Sequence, residues 1–515
     1  MAQKGISFRE QILSEKGIFL CLFVYNALLL FLCSRMSPLY DFNAWSDINV
    51  YFTIGKGWMN GLLPYRDLFD HKGPLIFLIY GIGYLISNTA FWGVYIIEVL
   101  FFFIGGASTY LIALFFLKKT WAFGASVIFS LLTLWYSGWG GAAEEFVLMA
   151  QMLGLYLFFR YFIQKDSAKP SLWHMLAQGV IFAFIFFIKF NLAVFLFFLL
   201  LAIFFSQLQK KQYADILKSI AVFLCGFCVV ALPFVAYFHI NSALNDFMDG
   251  YFTFNMRYSG KDVNLLDIDF VLGVAARFAK SIAHAPLFFG VALLGMLVFC
   301  LTPFFVRNIY ARLGVGLTYL VFSAVVFMTP VIMEYYYISL AVFPFLGYVI
   351  LLYFLQHYLG QAKQKIYYGL FALLGLGIGC AQKQFFGESI EVLTRQTEPQ
   401  TVETKFSDIL KKDSQSTLLS LGLDRGMGVF TKANVVPDVK YFFYPNIRYE
   451  AFPLICDSQV RYVQEGKPRY IVMCSQFIYS DYFLALPEFN EKYREVATFH
   501  EDNSLYSLYK LIETK

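Results

Sequence analysis

The sequence predicts a polytopic α-helical membrane protein carrying a small α/β domain outside the membrane, and three observations lead there. Of its 515 residues 59% are hydrophobic and only 15% charged, whereas soluble domains carry about a quarter charged. Apolar runs near the length of about 20 residues that a spanning helix needs recur about eleven times. Beyond residue 384 the pattern changes to a polar, mixed segment with short β-rich runs. The 61 Phe and 35 Tyr suit lipid-facing and interfacial positions. A net charge of +5 is too small to indicate a nucleic-acid partner; membrane lipids are the expected surroundings.

The spans follow in order. Lys4, Arg9 and Lys16 precede an apolar run over 17–36 with no small-residue cleavage site, which predicts a retained signal anchor and a cytoplasmic N-terminus. An outer loop over 37–90 then holds an amphipathic helix (47–60) and a short apolar helix (74–87) suited to the interface. The run 91–117 returns inward to Lys118 and Lys119, and 121–136 goes out to a turn at Gly138, Gly140 and Gly141. Next, 146–162 lands on Arg160, Lys165 and Lys169, 173–190 goes out, and 192–205 comes in to Lys210 and Lys211. The run 220–238 leads out to a long polar loop, 241–284. Finally 286–305 comes in to Arg307 and Arg312, 313–328 goes out, 336–354 comes in to Lys363 and Lys365, and 367–381 exits. Cations gather on the cytoplasmic side of such proteins, so the alternation predicts that Asp47, Lys72, Glu144, Glu145, Lys189, Glu334 and the 241–284 loop share one outer face.

Two domains are therefore expected: 1–384 in the plasma membrane and 385–515 outside it. Strands are expected at 417–421, 439–444, 469–473 and 504–511. Of the eight cysteines, Cys21, Cys33, Cys225, Cys228, Cys300 and Cys380 lie in apolar runs and read as small buried hydrophobes. Cys456 and Cys474 lie in the polar tail, where a disulfide is open.

The densest polar stretch is the outer loop, WSDINVYFTIGKGWMNGLLPYRDLFDHKGPL over 45–75. Acids and bases at a membrane boundary are costly unless they do chemistry or bind charge. Asp47 opens the loop helix, either as its N-cap or as a general base facing an acceptor hydroxyl. Arg66, Asp67, Asp70, His71 and Lys72 run up to Gly73–Pro74. Pro74 suits the first helical turn, which places His71 and Lys72 near a helix N-terminus where an anion such as phosphate is favoured. Glu144 and Glu145 either cap a helix start or, with Asp47, hold a divalent cation or an acceptor sugar. Lys189, at the end of an apolar helix before Asn191, either snorkels to the interface or contacts phosphate. Glu98, the acid inside the 91–117 run, pairs with a base or reaches the headgroups. Tyr335, Tyr336 and Tyr337 beside Glu334 read as aromatic belt.

P-loop, GxSxG, HExxH and Rossmann fingerprints are all missing from the sequence, so a donor drawn from the lipid is expected in place of a nucleotide. The pattern Asp47-x3-Tyr51, Gly61-x2-Pro64-Tyr65-x4-Asp70-His71-Lys72-Gly73-Pro74-Leu75 resembles the first outer loop of GT-C glycosyltransferases. The branch it is most similar to comprises protein O-mannosyltransferases and the lipid A aminoarabinose transferase. Ala143-Glu144-Glu145-Phe146 resembles that branch's second acidic motif, and Phe187-Ile188-Lys189-Phe190-Asn191 its Lys-containing helix end. The resemblance implies an inverting glycosyltransferase that takes a sugar from a polyprenyl-phosphate donor. The resemblance also implies a cell-surface glycan, lipid or protein as acceptor, on the outer face. It implies Asp47 as base, and Lys72 and Lys189, with His71 and Arg66, as donor-phosphate residues. Glu144 or Glu145, with Asp70, supplies the second acid. A divalent cation, Mg or Mn, could sit at Asp47 or Glu144, although the acid pair usual at the first motif is here Asp47-Ile48. From a different class, a transporter or flippase of lipid-linked sugars would share outer acids and phosphate contacts. Transporters, however, use broken helices at mid-membrane, and these runs read as nearly uninterrupted Phe, Leu and Val.

Overall fold

A computed structural model describes residues 15–137, 139–164, 170–258, 267–329, 332–358, 364–381, 388–394, 399–501 and 503–512. Lys4, Arg9, Gly138, Lys165, Lys169, Lys363 and positions 259–266 of the polar loop lie outside the described residues, as do the side chains of Lys365 and Cys380.

The helices are α1 (Lys16–Cys33), α2 (Ser46–Met59), α3 (Pro74–Ile86), α4 (Trp92–Ala113), α5 (Lys119–Ser137), α6 (Ala143–Gln164), α7 (Leu172–Ile188), α8 (Val194–Gln209), α9 (Tyr213–Ile240), α10 (Ile268–His284), α11 (Pro286–Leu301), α12 (Ile309–Phe327), α13 (Val342–Tyr358) and α14 (Gln364–Ala381). The C-terminal segment adds α15 (Val402–Leu410), β1 (Leu418–Leu421), α16 (Met427–Lys432), α17 (Pro453–Glu465), β2 (Tyr470–Cys474), β3 (Tyr493–Glu501) and β4 (Ser504–Leu511). Every expected span falls on a helix. Among the described residues seven helices are long and apolar enough to cross a membrane: α1, α4, α5, α6, α8 with its leading 3-10 turn, α9 and α12. Two bent pairs, α10 with α11 (111°) and Glu334–Leu340 with α13 (61°), bring the number to nine. The two remaining expected spans are the shorter apolar helices α7 and 367–378 of α14. The chain is a multi-pass membrane protein.

Two expectations change here. The 241–284 segment is largely helical where described, ending in α10, whose only buried side chain is Ser281. Nor are the helices uninterrupted, because α9 carries Pro233 and the two pairs bend.

The chain divides into two compact units. The first comprises Met1–Ser34, Glu98–Val235 and Asp262–Ile390. Its helices approach through small residues, as expected where lipid is as apolar as leucine and packing must supply the attraction. A Cβ on Gly179 would lie 2.0 Å from Phe223 O, and one on Gly347 2.1 Å from Val291 O. Buried polar side chains are satisfied between helices: Ser130 Oγ donates to Asn26 Oδ1 at 2.7 Å, and Ser126 Oγ to Gly106 O at 2.7 Å. Leu217, Leu224, Val229 and Leu232 of α9 stay exposed, which is stable only against hydrocarbon.

The second unit comprises Arg35–Ile97, Ala236–Lys261 and Glu391–Lys515. It gathers the outer-loop helices α2 and α3 with the C-terminal α/β segment. The sheet order is β1-β2-β4-β3, with β1 and β2 parallel and the other pairs antiparallel. Three expected strands form. The 439–444 run does not: its Val439, Tyr441, Phe442, Phe443 and Tyr444 are buried, but as a turn whose Phe442 O accepts from Ser420 N at 2.9 Å. β3 was not expected, since its Arg494, Glu495, His500 and Glu501 mask any alternation on an edge strand. Cys456 and Cys474 are both buried free thiols, and burial pushes Cys456 up to about 11.

Helix α2 is joined to α16 by two buried hydrogen bonds, Thr431 Oγ1 to Asn49 Oδ1 (2.7 Å) and Lys56 Nζ to Phe430 O (2.6 Å). Full burial lowers Lys56 to about 7. Helices α2 and α3 touch at glycine: a Cβ on Gly55 would meet Gly81 N at 2.5 Å and Phe77 O at 2.7 Å. Both atoms are backbone and cannot yield. Gly55→Ala is therefore expected to destabilise by about 1–3 kcal/mol, seen as a lower unfolding temperature of the purified protein. Gly290→Ala, with nothing within 4 Å of the added Cβ, should move it little.

Candidate active site

In the second unit the outer loop folds back onto α2. Asp47 lies in the first turn of α2, whose N-cap is the extended Trp45, so the acid is not the cap; it does favour the helix dipole. The helix start is organised by Asn49, whose Nδ2 donates to Asn43 O at 2.9 Å and Trp45 O at 2.8 Å. Tyr51, one turn beyond Asp47, lies under Lys72, whose Nζ is 5.8 Å from the ring centroid.

Asp70, His71 and Lys72 form a line. His71 Nδ1 is 3.1 Å from Asp70 Oδ1, and Lys72 Nζ is 3.2 Å from His71 Nε2. An ammonium has only donors, so Nε2 accepts from Lys72 and Nδ1 carries the proton toward Asp70. The electrostatics agree. Burial and the Lys72 cation hold His71 below its usual range, against the pull of Asp70 and Asp47. Burial would raise Asp70, but His71 and Lys72 outweigh it and leave the carboxyl at about 2. The Asp47, His71 and Lys72 foreseen from sequence are thus brought to one place, just before the Pro74 start of α3.

The backbone of this line is pinned by Tyr65, to which the sequence assigned no role, and by Asn255, which the sequence did not single out. Tyr65 OH donates to Lys72 O at 2.6 Å, and Asn255 Nδ2 to His71 O at 2.6 Å. Tyr65 adopts φ 70°, a region a bulky side chain enters only when packing overdetermines it. Its ring, wholly buried, is clasped by Phe77, Phe238 and Phe247 with centroids 5.5–5.9 Å away. Asn255 is 184 residues from His71, beyond any local pattern. Arg66 directs its fork to Asp67 (2.9 and 3.0 Å) and to Asn241 O (3.1 Å).

In the first unit, Glu144 and Glu145 open α6. Lys189, at the C-cap of α7, does not snorkel: its Nζ lies 2.6 Å from Glu144 Oε1 and 5.0 Å from the Tyr336 ring centroid. Glu145 accepts from Ser137 Oγ and from Gly141 N at 3.2 Å. Glu98, expected to meet a base or headgroups, instead accepts from Ser34 Oγ at 2.9 Å and Gly141 N at 3.1 Å.

Among the described residues no group of three or more His, Cys, Asp or Glu is disposed to hold a metal ion. Glu144 already faces the Lys189 ammonium.

The helical membrane body, the outer-loop helix pair and the small C-terminal sheet together make the fold that of GT-C membrane glycosyltransferases. The chain is similar to the aminoarabinose transferase ArnT from Cupriavidus metallidurans bound to undecaprenyl phosphate (TM-score 0.56, 11% identity, over 96% of this chain and 98% of that chain). The apo state of the same protein gives a TM-score of 0.54 at 12% identity, covering 97% of this chain and 98% of that one. The archaeal oligosaccharyltransferase AglB from Archaeoglobus fulgidus, in complex with an inhibitory peptide and a dolichol-phosphate, gives 0.47 at 12% identity over 96% and 74% of the two chains. No protein-family model and no curated protein sequence matches.

Two outcomes follow from these contacts. Lys189→Met strands the Glu144 carboxylate, 3% exposed in its pair, and should cost on the order of 3–5 kcal/mol; the Lys189→Met/Glu144→Gln double variant should recover most of it in the same unfolding assay. His71 binds its proton less readily folded than unfolded, so the unfolded chain takes up more protons as pH falls through the usual 6.5. Stability present above that pH is then lost on acidification, and His71→Gln should flatten that loss.

Proposed function

We propose that this chain is an inverting glycosyltransferase that moves a sugar from a polyprenyl-phosphate donor to a cell-surface acceptor. The observation that carries the reading is the arrangement of Asp47 and the Asp70–His71–Lys72 line, of which Asp70 is buried and the others half-buried, on a fold shared over 96% of this chain with ArnT bound to undecaprenyl phosphate.

An acceptor hydroxyl attacks the anomeric carbon from the face opposite the phosphate. The new carbon–oxygen bond forms as the bond to the phosphate oxygen breaks, and the hydroxyl proton passes to the Asp47 carboxylate. The polyprenyl phosphate departs as an anion. Lys72, aimed by neutral His71 and close to the start of α3, meets the developing negative charge, where a preorganised donor in a water-poor site is most effective. Asp70 holds His71 in the tautomer that accepts from Lys72. Lys189 and Arg66 are assigned as further phosphate-recognising cations, and Glu144 and Glu145 as second acids toward the acceptor. On the same reading the N-terminus is cytoplasmic, the 385–515 domain lies outside the plasma membrane, and transfer occurs on the outer face, in line with the sidedness of the cationic loops.

A second reading, movement of lipid-linked sugar across the bilayer, is favoured by the two bent helix pairs, since broken helices are a transporter feature.

The test is purified protein with radiolabelled polyprenyl-phosphate sugars, wild type against Asp47→Asn. A positioned base contributes about 10²–10⁴ in rate, so transfer should fall by that factor with insertion and yield unchanged. Normal turnover by Asp47→Asn would remove the base assignment. A folded wild type that consumes no donor but moves it between leaflets would establish the transport reading instead.

A further inference from the structure

Glu98 is a carboxyl that the mechanism does not use. It lies beyond the first turn of α4, is 1% exposed, and has no free helical N–H to stabilise it. Its oxygens accept from Ser34 Oγ and from Gly141 N. Glu145, equally buried, accepts from the same Gly141 N–H and from Ser137 Oγ. Gly141 N thus lies 3.1 Å from Glu98 Oε1 and 3.2 Å from Glu145 Oε2, so the two carboxyl groups stand side by side around one N–H.

That arrangement constrains the chemistry. Carboxylates are acceptors only, so two carboxyl groups side by side around one N–H can face each other favourably only with a proton on one of them. Like charges held this closely in an apolar site do not both ionise. Among the described residues no ion pair reaches either group; the nearby cation, Lys189, meets Glu144. The groups facing the pair are Ser34 at the end of α1, Ser137 at the end of α5, and Glu144 at the head of α6, which is itself paired with Lys189 from the C-cap of α7. Glu145 stands in the first turn of α6, where the helix dipole and two donors favour an anion. Glu98 has no such support.

The turn between them is shaped around the pair. Gly140 and Gly141 adopt φ 82° and 80°, and a Cβ on Gly140 would strike Ser34 Oγ at 2.1 Å. Only glycine allows this chain path, and the path leads directly into Glu144.

We propose that Glu98 and Glu145 hold a single proton between them, Glu98 as the acid and Glu145 as the carboxylate. This clasp sets the Gly140–Gly141 turn from which Glu144 reaches Lys189, so Glu98 is a positioning residue. The proton is independent of the reaction catalysed; its bearing on Glu144 rests on the transferase reading above. When the proton is lost at high pH the two anions repel, the turn opens, and transfer falls.

The experiment is infrared spectroscopy of the full chain in lipid nanodiscs with isotope-labelled glutamate, alongside transfer measured across pH. Wild type should show the C=O stretch of a neutral carboxylic acid at neutral pH and lose it on alkalinisation, together with transfer. Glu98→Gln carries its protons permanently. It should lack the band, keep transfer at neutral pH and lose the alkaline fall; Glu98→Ala, with no donor to offer, should lose transfer. A wild type with no such band would overturn the proposal, showing both acids ionised. A band that persists in Glu98→Gln overturns it equally. Should Glu98→Gln fail to insert, Glu145→Gln removes the other carboxyl and is read on the same band. A wild type inert toward every donor would defeat the transferase reading and leave the infrared result standing.

Discussion

A carboxylate buried at the head of an apolar helix is tolerable only where a cation or several donors meet it, and α6 begins with two in succession. Glu144 meets Lys189; Glu145 meets Ser137 and the Gly141 N–H that it shares with Glu98. Neither acid can be satisfied by its own helix. Each instead dictates what the ends of α1, α4, α5 and α7 must bring, and the two left-handed glycines before α6 are the backbone form of that requirement.

The same constraint runs through the second unit. Lys56 is wholly buried and donates a hydrogen bond to Phe430 O, a site at which burial lowers its ammonium to about 7. Glu403, also wholly buried, is met by both arms of Arg425, which reaches Glu501 as well. In the outer loop the solution is a line, not a pair: Asp47 and Asp70 balance Lys72 across a histidine that stays neutral. A neutral histidine between an acid and a base transmits orientation without adding charge. The aromatic clasp around Tyr65 serves this arrangement by fixing the carbonyl of Lys72 in place.

Much of this was legible in the chain itself. Hydropathy located every span, and the outer-loop helices were placed to within a residue or two, since amphipathic and apolar periods are local. The turn at Gly140 and Gly141 and the start of α3 at Pro74 were equally local signals. What misled was also local. The apolar run 439–444 looked like a strand because burial and β-propensity coincide there, yet it packs as a turn. The charged edge strand β3 looked like nothing.

Residue types, spans and the candidate acids and bases were thus determined by the sequence alone, because each depends on neighbours within a few positions. Their partners were decided only by tertiary structure. Lys189 could have reached the headgroups; the structure gives it to Glu144, 45 residues away. Glu98 could have met a base and meets an acid. His71 and Lys72 owe their geometry to Tyr65 and to Asn255, 184 residues on. A buried charge is neutralised by whatever the fold brings within about 3 Å of it, and no periodicity along the chain encodes that distance.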